Sequence, residues 1–151
     1  MEDIKQKTEA FFKAYEDRFN QGLTGNVNVE GTAAAFADSF IESSPVGVIA
    51  GKNDAEFRKA IPQGAAYYKK IGTQSMKVKK LAVTLVDDFH VMARVHWDSR
   101  YLKDGREVVI EFDVVYFLRY VDGVLKIFGY VTGDEKKVLE ENGLIEKTAT
   151  R

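Results

Sequence analysis

Two Asp-Gly pairs, Asp104-Gly105 and Asp122-Gly123, each set between runs of alternating apolar residues, constrain this chain more than any other feature. A two-residue Asp-Gly loop closes a hairpin and fixes which residues oppose one another across it. A weaker turn at Asp87-Asp88 extends the pattern, so the second half reads as a four-strand meander over 75–86, 89–102, 106–121 and 124–132.

The first half reads as mainly helical. Ile4, Phe11, Phe12, Tyr15 and Phe19 recur at helical spacing, with Asp3 as cap, Gln6 three residues on, and a stop at Asn20-Gln21-Gly22. A loop over 23–31 leads to a short helix that Thr32 caps and that runs through Ala37 to end near Ser39. Two short strands, 40–43 and 46–50, flank Ser44-Pro45, because proline holds its predecessor extended. Asn53 opens a helix that continues through Pro62, a kink, to Gly72, and a last helix over 134–142 stops at Gly143. The 151 residues thus read as one α+β domain, a cone of helices packed on a strongly curved antiparallel sheet, with a flexible tail over 144–151.

Register sorts the side chains by face. With Lys103 opposite Arg106, one face collects Val95, Trp97, Tyr101, Val108, Ile110, Phe112, Val114 and Tyr116. With Val121 opposite Val124, that face gains Leu118, Tyr120, Leu125, Ile127, Gly129 and Val131. So much apolar surface must lie beneath the helices. The other face carries Arg94, His96, Asp98, Arg100, Glu111, Asp113 and Arg119, together with Val115, Phe117, Phe128 and Tyr130. An aromatic strip bordered by charge has the anatomy of an interface and predicts a sheet-to-sheet homodimer. A β-bulge would reverse the faces beyond it.

Composition removes several functions. Twenty-two basic against twenty-three acidic residues leave a net charge of −1, without the basic footprint that a nucleic-acid partner needs. The chain has no cysteine, hence no disulfide, thiolate metal site or thiol nucleophile. Its start, Met1-Glu2-Asp3-Ile4, lacks the basic and apolar regions of a leader, and no stretch has membrane-spanning length, so a cytoplasmic protein with no membrane partner is expected. His90 and His96, the only histidines, stand about 20 Å apart along one strand, too far to share a metal.

The segment Phe36-Ala37-Asp38-Ser39-Phe40-Ile41-Glu42-Ser43-Ser44-Pro45-Val46-Gly47 resembles the helix-to-turn stretch of ketosteroid isomerases, which ends in Asp-Pro-Val-Gly. Tyr15 with Asn20 and Gly22, and Leu118-Arg119-Tyr120 before Asp122-Gly123, resemble two further isomerase segments. The element order as a whole resembles the nuclear transport factor 2-like superfamily, which also includes SnoaL-type polyketide cyclases. The resemblance implies that Tyr15 donates to a ligand oxyanion and that the second donor position falls at Tyr116. At the position of the isomerase base stands Ser44, whose hydroxyl holds its proton too tightly to replace a carboxylate.

Two readings follow. In the first, a dimer binds a small hydrophobic molecule, without a cofactor or metal, in an internal pocket edged by Tyr15, Ser44, Trp97, Tyr101, Phe112 and Tyr116. Proton-transfer chemistry such as isomerisation, cyclisation or dehydration would then fit, with the base unidentified. In the second, the interior is filled by its own side chains and the protein is a non-catalytic scaffold. His96 opposite Asp113 reads as an ordinary cross-strand pair, and becomes the leading catalytic candidate only if the faces are reversed.

Overall fold

The two Asp-Gly loops take the left-handed backbone that a type I′ turn requires, with φ of 51° and 76° at Asp104 and Gly105 and 53° and 77° at Asp122 and Gly123. In the computed structural model, which describes residues 2–147, the helices are α1 (Glu2–Leu23), α2 (Val29–Ala34), α3 (Ala55–Lys70) and α4 (Glu135–Glu141). The strands are β1 (Phe36–Ser44), β2 (Gly47–Lys52), β3 (Thr73–Asp87), β4 (His90–Lys103), β5 (Arg106–Val121) and β6 (Val124–Val131). They form one curved, unclosed sheet in the order β2-β1-β6-β5-β4-β3. Every neighbouring pair is antiparallel except β1 with β6, a parallel contact that the hairpin signals did not reveal.

Pairing of β4 with β5 is uninterrupted from Lys103↔Arg106 to His90↔Arg119. Val95, Trp97, Val114, Tyr116 and Leu118 are accordingly buried with Phe12 of α1 in the main core. A buried aromatic of this size removes roughly 150–250 Å² from water, about 4–6 kcal/mol, against about 1–3 kcal/mol for an unsatisfied polar group. Trp97 avoids even that cost, because its Nε1 donates to the Tyr116 hydroxyl at 3.1 Å.

β3 is an edge strand, and its free backbone groups are bound by α1. Asn20 Nδ2 donates to the Met76 carbonyl at 2.9 Å while Asn20 Oδ1 accepts from the Met76 amide at 2.9 Å. The Glu16 carboxylate accepts from the Val78 amide at 2.6 Å. Asn20, expected to stop the helix, therefore acts as a strand surrogate, which closes this edge to further pairing. Lys77, Lys79 and Lys80 are exposed on the same strand.

Several expectations shift. α1 already includes Asp3, which pairs with Lys7 at 3.7 Å instead of capping. Asn28, whose side chain accepts from the Gly31 amide, caps α2, and the helix gives way at Phe36 to β1. Asp38 consequently lies exposed on a strand. Asp54, not Asn53, caps α3, leaving Asn53 to donate to the Ala33 and Phe36 carbonyls. The β3–β4 turn moves one residue on, to Asp88-Phe89, because the Asp87 carboxylate binds the Phe89 amide at 2.8 Å. Leu144, assigned to a loose tail, is buried against Leu139 and Tyr101, and positions 148–151 lie outside the described residues. Among the described residues no helix is long and apolar enough to cross a membrane.

Asn20→Ala leaves the Met76 amide and carbonyl without partners and should lower the unfolding free energy by about 2–3 kcal/mol in urea titrations. A change below about 0.5 kcal/mol would show that water replaces the side chain.

Candidate functional site

The inner face holds to the expected parity from β4 to the start of β6, then breaks. Leu118 pairs with Ile127 but Phe117 pairs with Gly129, so Phe128 is an extra residue and the strand carries a bulge. Beyond it the faces exchange. Tyr130, expected in the outer dimer strip, turns inward opposite Tyr116, while Val131, expected inside, is 47% exposed.

This bulge builds the site. In the parallel pair Glu42 of β1 stands beside Tyr130, and across β6 Tyr130 faces Tyr116. Three adjacent strands thus present Glu42, Tyr130 and Tyr116 as a row. The Tyr130 hydroxyl donates to Glu42 Oε1 at 2.5 Å. The Tyr15 ring, from α1, lies 6.2 Å from that of Tyr116 and 5.9 Å from Trp97. The row, Tyr15, Trp97, Phe112 and Ser44 all line one concave space of about 430 Å³.

Tyr15, Trp97, Phe112, Tyr116 and Ser44 are therefore brought together as the sequence suggested. Ser44 stands at the rim, with its Oγ accepting from the Val46 amide at 3.3 Å. Tyr101 is not on this wall. It lines a recess of about 60 Å³ below α4, beside Val138 and Leu139, because the C-terminal helix packs over that end of the sheet. His96 and Asp113 lie on the outer face with Glu111 and Arg94, so the condition for their catalytic role is not met. Val115, Phe117 and Phe128 do face outward, with the rings of Phe117 and Phe128 6.3 Å apart.

Three polar side chains that line this space escaped the sequence reading: Glu42, Tyr68 and Glu135. Glu42 lies two residues before Ser44 and so on the same face of β1. Tyr68, from α3, donates to both Glu135 oxygens at 2.9 and 2.7 Å. Glu42 and Glu135 are thus each held by a phenol, while Asp134, on the same wall, accepts from the Lys137 amide at 3.1 Å.

Burial lifts the Tyr15, Tyr116 and Tyr130 phenols above their ordinary value, and for Tyr130 the Glu42 bond adds to the effect. They stay protonated donors across the neutral range. Glu135 is an exposed residue overall, yet desolvation of its carboxyl raises its pKa, with Glu42 adding to the rise and the Tyr68 bond opposing it. Among the described residues no His, Asp and Glu cluster could hold a metal ion.

A family profile described as "NTF2-like protein (DUF6841)" matches residues 5–135. Among solved structures, an NTF2-like protein with a cystatin-like fold from Novosphingobium aromaticivorans superposes with a TM-score of 0.68 at 12% identity, over 95% of this chain and 89% of its own. Aln2 from a Streptomyces species gives 0.64 at 22% identity, over 91% and 95%. A ketosteroid isomerase-like protein from Erwinia carotovora atroseptica gives 0.56 at 14% identity, over 83% and 91%. At these identities the likeness is one of fold. No curated protein sequence matches the chain.

Because the folded pKa of Glu135 lies above the unfolded value, the stability it contributes is fully present below about 4.5 and is lost as pH rises through the folded pKa. Glu135→Gln removes that titration. Its melting temperature relative to wild type should climb between pH 4 and pH 7, and a difference that is flat or falls with pH would contradict the desolvated carboxyl.

Proposed function

Because the chain belongs to the NTF2-like family DUF6841, we propose that its concave space binds a compact hydrophobic molecule bearing a carbonyl or hydroxyl and supports proton transfer on it. One observation carries this reading: a carboxylate, Glu42, bonded to Tyr130 within the same cavity as Tyr15 and Tyr116. The isomerase base position is occupied by Ser44, but Glu42 offers a carboxylate from the same strand face two residues away.

In the proposed step Glu42 takes a proton from the carbon next to a ligand carbonyl. The C–H electron pair becomes the new carbon–carbon double bond, the C=O π pair moves onto oxygen, and a phenol donates a hydrogen bond to the enolate that forms. Protonated Glu42 then returns the proton to another carbon, or to a departing hydroxyl, which gives isomerisation or dehydration. Protonated phenols suit the donor role, and the apolar Trp97 and Phe112 walls would strengthen these bonds by excluding water. A volume of about 430 Å³ falls within the range of roughly 300–1,000 Å³ typical of small-molecule clefts. That supports ligand binding over a cone filled by its own side chains.

The homodimer belongs to the same reading, on a revised surface. With Val131 turned outward, the strip formed by Val115, Phe117 and Phe128 continues into Val131 and Ile41, and Ile41 and Val131 are each about half exposed. Sheet-to-sheet pairing would cover this strip of partly exposed apolar side chains.

Exchange of the α-protons of 2-tetralone into D₂O, followed by NMR, tests the chemistry. Wild type should accelerate exchange, Glu42→Gln should reduce the rate at least about 100-fold, and Tyr15→Phe with Tyr116→Phe should weaken 2-naphthol binding about tenfold. Exchange that survives Glu42→Gln would remove Glu42 from the base role. For assembly, sedimentation at micromolar concentration should give a dimer for wild type and a monomer for Phe128→Glu; a monomeric wild type would overturn the dimer.

A further inference from the structure

A second space, of about 360 Å³, lies on the helical side of the cone and meets the first at Tyr15, Phe19, Tyr68 and Tyr130. Its walls come from α1, α2, α3 and the start of β1, with Leu23, Val27, Phe36, Phe57 and Ile61 supplying apolar surface. Arg18 carries the only charge on that wall among the described residues. It sits there by helical periodicity: Tyr15, Arg18, Phe19 and Gly22 fall at i, i+3, i+4 and i+7 of α1, the face turned toward α3 and the sheet.

Among the described residues, Arg18 has only longer-range electrostatic contacts, with Tyr15 and Asp17. Its Nε is buried and makes no hydrogen bond, and no ion pair reaches the guanidinium. Asp17, the adjacent acidic residue in sequence, pairs with Lys13 at 3.2 Å, and Glu30 of α2 pairs with Arg58 at 2.9 Å. Partial burial of the group pulls its pKa below the ordinary guanidinium value despite Tyr15 and Asp17 nearby. A guanidinium stays charged in a protein, so partial desolvation with a buried Nε left unbonded is a cost to the fold. Such a cost is offset when an anion arrives from outside.

We propose that this second space binds an amphipathic monocarboxylate, its carboxylate on the Arg18 guanidinium and its apolar body between Phe36, Phe57 and Ile61. The fork of Arg suits a carboxylate taken bidentately. A single cation and apolar walls suit one negative charge on an apolar body, and leave a multiply charged phosphate without enough donors. Arg18 does not border the first space, so the charge anchor is separate from the proton-transfer row even though the two spaces share Tyr15, Phe19, Tyr68 and Tyr130. Arg18 also touches a depression on the far side of α1, beside Ala10 and Lys7, and the test separates the two locations.

Calorimetric titration of the intact chain with octanoate and with 1-octanol reads the contribution of the charge directly. Wild type should bind octanoate at least about tenfold more tightly than octanol. Arg18→Met should erase that preference while keeping octanol binding and a melting temperature no lower than wild type, and Arg18→Lys should restore part of the preference. Ile61→Trp, which fills the second space, should abolish the preference for octanoate, whereas Ala10→Trp should leave it unchanged. Absence of octanoate binding at millimolar concentration, equal affinity for the two probes, or a preference that persists in Arg18→Met would overturn the proposal. Loss of the preference through Ala10→Trp but not Ile61→Trp would also overturn it, by moving the site to the far side of α1.

Discussion

The hydrogen-bond register between β5 and β6 decides what the interior of this cone contains. A strand alternates its side chains, so one extra residue at Phe128 exchanges inside and outside for all that follows. Without the bulge Tyr130 would lie in the solvent-side strip and Glu42 would have no phenol beside it. With it, β1, β6 and β5 present Glu42, Tyr130 and Tyr116 as one row, and α1 adds Tyr15 above them. The parallel contact of β1 with β6 matters equally, because it brings a residue from the first half of the chain into line with the meander.

Electrostatics divides the interior. On the sheet side, phenols donate to Glu42 and Glu135, so each carboxylate is bonded and the desolvated phenols remain donors. On the helical side stands a cation with no such partner. A fold seeking stability alone would pair Arg18 with a carboxylate or replace it with an apolar residue, since a half-buried guanidinium whose Nε has no hydrogen-bond partner gives up hydration that nothing returns. Tyr15 faces both regions, and the Arg18 charge opposes the rise that burial imposes on its phenol.

Much of the fold was legible because its signals are local. Asp104-Gly105 and Asp122-Gly123 define their turns by φ > 0, and the register follows by counting, so Trp97, Phe112 and Tyr116 could be assigned to the inner face from sequence. Asn28 and Asp54 were less visible as caps, because Thr32 and Asn53 offer the same chemistry within a few residues. The site was only partly legible. Tyr15, Tyr116 and Ser44 emerged through the isomerase-like segments, but Glu42 and Glu135 did not, since their partners, Tyr130 and Tyr68, are 88 and 67 residues away. Gly129 within a strand was the one local hint of a bulge, and its position relative to Phe128 could not be counted from the turn. Tyr101 was misplaced for a different reason: the alternation gives its face correctly, but not that α4 covers that end of the sheet.

The measurement that bears most directly on this account is the set of nuclear Overhauser contacts from the Tyr130 ring in a sample with selectively labelled aromatic residues. With the bulge at Phe128, Tyr130 ring protons should show contacts to Tyr116, whose ring centroid lies 6.0 Å away, and none to Phe117. Contacts from Tyr130 to Phe117 with none to Tyr116 would return Tyr130 to the outer face and dissolve the row on which the site depends.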